Sequence, residues 1–163
     1  MFATGAAAVA FAFAVPSNAQ TPMPMASLAP AAPIRIQVGP AAFAGLHRQT
    51  LKVQEEDGET ATYSGVYLDD ALVAAGAPSG MAVHGASVAT YVLVRASDGY
   101  RALFSLAEVD PAFTDRIFLL ADQRNGVALP ANLGPYRIIV PGEHRHARWI
   151  RSVTVIDVVP VSP

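Results

Sequence analysis

The chain has 163 residues, which is the length of one ordinary domain and argues against a two-domain enzyme. Eleven basic and thirteen acidic residues give a formal charge of −2, so general binding of nucleic acid is not expected. Cysteine is absent, which excludes disulfides, cysteine-ligated zinc, iron–sulfur clusters and catalytic thiolates in this chain.

Residues 1–19 have the pattern of a secretory signal peptide. An apolar run rich in Ala and Phe is followed by the small residues Ser17 and Ala19, at positions −3 and −1 of a cleavage site before Gln20. The run is shorter than the roughly 20 residues of a membrane-spanning helix, and a buried helix is the alternative. The leader carries no Lys or Arg, which departs from the usual pattern. The sequence predicts a periplasmic or secreted protein with no membrane span after cleavage.

The rest of the chain predicts a flexible Pro- and Ala-rich tether over residues 20–33 and one domain over residues 34–160. Residues 67–75 predict a short helix, and a capping box predicts a helical turn from Leu106. Charged residues 55–59 predict a solvated hairpin turn. Apolar patterning predicts strands at 34–38, 49–54, 60–63, 91–96, 100–104, 117–121, 136–140 and 149–159. The fold class is therefore α+β, mixed and mostly β, with two or three short helices.

Basic residues are concentrated in the last third of the chain. Residues 55–122 carry a net charge of −8, whereas residues 123–163 carry +3, all of the basic residues there being arginines. Guanidinium groups bind phosphate in a bidentate way, so Arg145 and Arg148 are candidates for anion binding. If a strand begins near Arg148, Arg151 points to its opposite face. The alternative is a solvated loop whose arginines pair with the acidic middle third.

Three other features have simpler explanations than a functional site. His144 and His146, with Glu143, could ligate a metal, but three or four ligands are needed and the other histidines are distant in sequence, so no metal site is expected. Asp98 precedes a glycine in a hairpin turn, which explains it without catalysis. Trp149 is the only tryptophan, and we expect it to anchor the core. No catalytic residue is identified.

Several ordered segments resemble the sulfite-oxidase-type oxidoreductase molybdopterin-binding domain. The segments carrying the resemblance are SGVYLDDAL at 64–72, AGA at 75–77, SDGY at 97–100, LLAD at 119–122, GVAL at 126–129, GPYRIIVPG at 134–142 and RWI at 148–150. The resemblance covers roughly residues 62 to 158 and implies a sulfite-oxidase-like fold with a pocket for a pyranopterin and its phosphate. It places the phosphate near Arg148, assisted by Arg145. The ligand-binding residues it implies are Asp98, Gly99, Tyr100, Arg137, Arg145 and Arg148.

The sequence departs from that family in one chemical respect. Family enzymes bind molybdenum through a cysteine thiolate, and this chain has none. The resemblance implies molybdopterin as cofactor, but the missing thiolate indicates that none is tightly bound. We therefore expect a pterin-like or small anionic ligand and no molybdenum redox chemistry by this chain alone. A molybdopterin-dependent oxidoreductase or a subunit of one, with an unidentified partner reductase, and a non-enzymatic interaction module remain the alternatives.

Overall fold

The computed structural model describes Met1 and residues 32–161. Residues 2–19 of the predicted signal peptide and residues 20–31 of the predicted tether lie outside the described residues. The described strands are β1 (Ile34–Gln37), β2 (Gln49–Gln54), β3 (Thr60–Tyr67), β4 (Thr90–Ala96), β5 (Arg101–Ser105), β6 (Leu119–Arg124), β7 (Val127–Ala128), β8 (Arg137–Ile139) and β9 (Val153–Pro160). Two short α-helices, α1 (Leu68–Ala74) and α2 (Leu106–Val109), complete the mostly β, α+β fold.

The strands form two antiparallel sheets. The first has the order β1-β9-β4-β5, so the last strand of the domain lies between the first strand and β4. In the second, β2 pairs with β3, β3 pairs with β6, and both β7 and β8 pair with β6. Alternate residues of β4 and β5, and a continuous apolar run in β6, supply the core. One cluster of buried side chains joins the two sheets, with Phe104 against Phe118 in an edge-to-face contact.

Both predicted helices are present: α1 begins one residue after the predicted start at Tyr67, and α2 begins at Leu106 as predicted. In α1, Asp69 and Asp70 occupy the first turn, where the helix dipole favours acidic side chains, and the helix ends before Gly76. In α2, the Ser105 hydroxyl accepts a hydrogen bond from the Glu108 backbone N–H, as a capping box requires. Among residues 32–161, neither helix has the length and apolar character that crossing a bilayer requires.

Several predicted boundaries are wrong. The predicted strand at 149–159 begins only at Val153, because residues His146–Arg148 form a 3₁₀ turn and Ser152 has a left-handed backbone (φ 51°). The strand predicted at 117–121 starts at Leu119 and runs to Arg124. The strand predicted at 60–63 continues to Tyr67. Three further 3₁₀ turns, Pro40–Phe43, Gly80–Ala82 and Gly85–Ala89, carry no periodic signal in the sequence.

Gly99 forms the predicted tight turn between β4 and β5, with φ at +87°. A Cβ there would meet no atom within 4 Å, so the cost of a side chain is conformational and not steric. We expect Gly99→Val to lower the free energy of unfolding by about 1 kcal/mol or more. Gly99→Asn should cost less, because Asn tolerates this conformation. Urea denaturation of both variants checks the order, and equal losses would contradict it.

Asp157 is the buried acidic residue on β9, and two strands clamp it. Arg35 on β1 donates from Nε to Oδ1 at 2.6 Å, and Arg95 on β4 donates from Nε to Oδ2 at 2.8 Å. The hydrogen bond from Arg35 is the main cause that holds the pKa of Asp157 below its ordinary value of 3.8, although burial opposes the shift.

This clamp predicts a pH dependence of stability. Since the folded-state pKa of Asp157 is lowered, its stabilising contribution is present above pH 3.8 and is lost as the pH falls through the lower folded value. Asp157→Asn should therefore be less stable than the wild type at neutral pH, with a difference that shrinks below about pH 4. The exposed Asp115→Asn is the matched control. Thermal unfolding from pH 2 to pH 7 measures this, and a constant difference would contradict the role of the clamp.

Candidate functional site

Trp149 lies in residues 141–151, which we call the basic segment because they contain His144, Arg145, His146, Arg148 and Arg151. Its side chain is buried, as predicted, and its indole Nε1 donates to the Val140 carbonyl at 2.8 Å. The 3₁₀ turn before it brings His146 parallel to the indole, with ring centroids 3.6 Å apart and planes 6° apart. The segment therefore presents a flat aromatic stack of His146 on Trp149.

A large cleft lies beside this stack. Its volume is about 690 Å³, and it separates the turn after β2 from the loop after β8. The apolar part of its wall consists of Val53, Pro141 and Trp149. The charged and ionisable side chains of the lining are Lys52, Glu55, Glu56, Glu143, His144 and His146. The cleft therefore combines an aromatic wall with both acidic and basic groups.

A smaller pocket of about 200 Å³ is also lined by Trp149. The tip of the β4–β5 hairpin supplies Asp98 and Tyr100, and the basic segment supplies Arg151. The Tyr100 hydroxyl donates to the Ala147 carbonyl at 2.9 Å, and Arg151 lies 3.9 Å from Asp98. The structure thus brings the hairpin at 98–100, including the turn residue Gly99, next to the basic segment.

Arg148, the residue that the resemblance places near a phosphate, is already paired within the chain. Its Nε and Nη2 both donate to Oε1 of Glu143, and its Nη1 donates to Glu108 at 2.7 Å. The guanidinium also lies over the Phe104 ring at 4.8 Å. Burial alone would lower the pKa of Arg148, but the bonds to Glu108 and Glu143 outweigh it and raise that pKa. This is the pairing with acids that the alternative interpretation of the loop describes.

Arg145 differs from Arg148 in both its exposure and its ion pairing. It is exposed at the start of the 3₁₀ turn, and none of the ion pairs among residues 32–161 includes it. The premise that a strand sets the directions of Arg148 and Arg151 is wrong, because this part of the chain is a turn. Arg145 thus has no ion pair among residues 32–161, whereas the donors of Arg148 bond to Glu143 and Glu108.

Arg137 belongs to a buried polar network that the sequence did not predict. Its Nη1 donates to the Tyr63 hydroxyl at 2.6 Å, and that hydroxyl donates to Glu55 at 2.5 Å. Arg124 forms an ion pair with the other oxygen of Glu55. The guanidinium of Arg137 also lies 5.6 Å from the ring centroids of both Tyr63 and Trp149, so the network reaches the aromatic stack.

The predicted hairpin turn at 55–59 is confirmed between β2 and β3, where the Glu55 backbone N–H donates to the Glu59 carbonyl at 2.7 Å. The Glu55 side chain, however, is not solvated, which differs from the prediction. Its side chain is only 13% exposed. Burial raises the pKa of this carboxyl group, but hydrogen bonds from Tyr63 and Arg124 and the charge of Arg137 outweigh burial and lower it. Burial, followed by the bond to Glu55, raises the pKa of Tyr63. Glu55 is thus an ionised member of the network.

Two polar atoms near the cleft have no hydrogen-bond partner among the described residues. They are Nε of Arg137 and Oε2 of Glu143, both buried. In the described part of the chain, the only group of three potential metal ligands is Glu55, Asp57 and Glu59, and neither histidine of the basic segment belongs to it. The histidine pair therefore does not form a three-ligand centre there.

No curated protein sequence matches this chain. The family model described as "Oxidoreductase molybdopterin binding domain" matches residues 38–162, which is most of the chain. The ordered motifs, the two-sheet α+β fold and this match agree on the assignment. The chain belongs to the oxidoreductase molybdopterin-binding domain family.

Proposed function

We propose that this protein is an exported ligand-binding domain that takes a pterin-like or small anionic ligand and carries no molybdenum redox chemistry of its own. The observation that supports it is the cleft of about 690 Å³ against the Trp149–His146 stack. That volume is within the range of about 300–1,000 Å³ typical of small-molecule sites. Its lining adds six charged or ionisable side chains to an aromatic wall, so it is more polar than most small-molecule sites and suits a ligand with charged or hydrogen-bonding groups.

The residues around the cleft suit a flat heterocycle. His146, which stacks on the buried Trp149, offers aromatic surface for stacking. Lys52 and His144 can bind a negatively charged substituent, and Glu143 can accept hydrogen bonds from ring N–H groups. The hairpin residues Asp98 and Tyr100 contribute through the smaller pocket, which Trp149 also lines, and Gly99 contributes by forming the turn between them.

Molybdenum held by a protein thiolate does not fit this chain. A thiolate is the soft ligand that the family enzymes use, and no cysteine is present in the 163 residues. The arginine expected at the cofactor phosphate, Arg148, has its donors directed at Glu108 and Glu143. We accordingly assign to the chain binding of an organic ligand and no redox step.

Calorimetric titration with pterin and with inorganic phosphate tests the proposal. We expect at least one of them to bind the wild type, and His146→Ala to weaken pterin binding, because it removes half of the aromatic stack. His47→Ala is the control, since His47 is exposed and does not line the cleft. Absence of binding by both compounds, with no shift in melting temperature, would contradict the proposal and favour an interaction module.

Export is the second part of the proposal, and the apolar leader before Ser17 and Ala19 supports it. The mass of the intact protein from the native host tests it. We expect a chain that begins at Gln20 and is recovered outside the cytoplasm. A protein that keeps residues 1–19 and stays in the cytoplasm would contradict it.

A further inference from the structure

Three arginines next to the large cleft form ion pairs with acids of the same chain. Arg124 pairs with Glu55 and Glu59, and Arg137 bonds to Glu55 and Tyr63. Arg148 pairs with Glu108 and Glu143, as described above. None of the three arginines lines the cleft, whereas two of their carboxylate partners, Glu55 and Glu143, do. The acidic side chains that line the cleft therefore stand beside Lys52, His144 and His146, and Glu143 is the acid whose hydrogen bonding is incomplete.

Glu143 has one carboxylate oxygen that accepts no hydrogen bond from the described residues. Its side chain is only 8% exposed, and it lines the cleft. Both bonds from Arg148 go to Oε1, which leaves Oε2 buried with no donor among the described residues. Buried carboxylate oxygens are normally satisfied, so a turn of the Glu143 side chain towards the cleft would let this oxygen accept a hydrogen bond from a ligand N–H.

The pairing of Arg148 permits Glu143 to turn towards a ligand. Glu108 holds Nη1 of the same guanidinium at 2.7 Å, so Arg148 keeps an acidic partner when Glu143 shifts. The aromatic wall of Trp149 and His146 lines the same cleft. A flat ligand stacked there can reach Glu143 with an edge that carries N–H groups.

We propose that the cleft selects a planar ligand with an amidine- or guanidine-type N–H edge, which donates to Glu143, in preference to an anion. An aminopyrimidinone ring has such an edge, and so has an aromatic amidine. The inference rests on the proposed function, because it names the ligand class for the same cleft. Of the ligand types proposed above, it retains the heterocycle with N–H donors and rejects the simple anion.

Benzamidine and benzoate provide a matched pair of probes, since they share a shape but carry opposite charges and opposite hydrogen-bonding roles. Calorimetric titration of the wild type should show benzamidine binding about tenfold or more tightly than benzoate, as one charge-assisted hydrogen bond allows. Inorganic phosphate serves as the third probe and should bind no better than benzoate.

Glu143→Gln should lose about tenfold in benzamidine affinity, because the amide bonds a cation less strongly than the carboxylate does. Glu108→Gln is the matched control: it also removes an acidic partner of Arg148, but Glu108 does not line the cleft. The affinity of Glu108→Gln for benzamidine should stay close to that of the wild type. If Glu143→Gln does not fold, the comparison of probes on the wild type decides the question.

A preference for benzoate or phosphate, or a folded Glu143→Gln that binds benzamidine like the wild type, would overturn the inference and leave the proposed function standing. Absence of binding by pterin, benzamidine, benzoate and phosphate alike would overturn both.

Discussion

Gly65→Ala is expected to prevent folding or to lower the free energy of unfolding by about 3 kcal/mol or more. A Cβ on Gly65 would lie 2.1 Å from the Leu120 carbonyl oxygen and 2.6 Å from Cα of Ala121. Both atoms belong to the backbone of β6, which cannot move away without opening the β3–β6 pairing. The register of that pairing shifts between Ser64 and Gly65, so the close approach is part of how the second sheet is built.

Gly39→Ala is the control for this prediction. A Cβ at Gly39 would meet no atom within 4 Å, and its backbone is extended (φ −169°). We expect its free energy of unfolding to stay within about 0.5 kcal/mol of the wild-type value. Urea denaturation followed by circular dichroism compares the two variants. A Gly65→Ala protein as stable as Gly39→Ala would show that β3 and β6 do not approach as described.

Glu55→Ala should have the next largest effect, a loss of about 2 to 3 kcal/mol. The substitution removes the acceptor shared by Tyr63, Arg124 and Arg137 and leaves a buried phenol and two guanidinium groups with unmatched donors. This loss of stability is smaller than the loss usually caused by breaking a fully buried ion pair, because the Arg124 side chain remains 28% exposed and can be hydrated.

Glu59→Ala separates this effect from the loss of an ordinary surface charge. Glu59 lies 3.8 Å from the same Arg124, but its side chain is 72% exposed, so its removal should change stability by less than about 1 kcal/mol. Chemical denaturation at pH 7 of both variants measures the difference. Equal losses would mean that the network around Tyr63 contributes no more than surface ion pairs.

The sequence predicted most of the regular structure because its signals are local. Apolar alternation in β4 and β5 reflects one buried and one exposed face, and the continuous run at 119–121 reflects a central strand. The turn at Gly99 and the cap at Ser105 depend on a few neighbouring residues. Such features need no knowledge of the distant partners of a segment.

The site was predicted less well because its contacts are long-range. Glu55 stands in a run of charged residues, which locally favours a solvated turn, and only the fold brings Arg124 and Arg137 to it. Likewise, the family resemblance places Arg148 near a phosphate, but Glu108 lies 40 residues away in sequence and α2 brings it to the guanidinium. The one signal that could have indicated the network is the excess of acids over residues 55–122 against the basic last third.

The most direct test of the account is native mass spectrometry with metal analysis of the protein purified from its native host. We expect the purified protein to begin at Gln20, to carry an organic ligand with an N–H donor edge, and to contain no stoichiometric molybdenum. Stoichiometric molybdenum, held by oxygen or nitrogen donors of this chain, would contradict it.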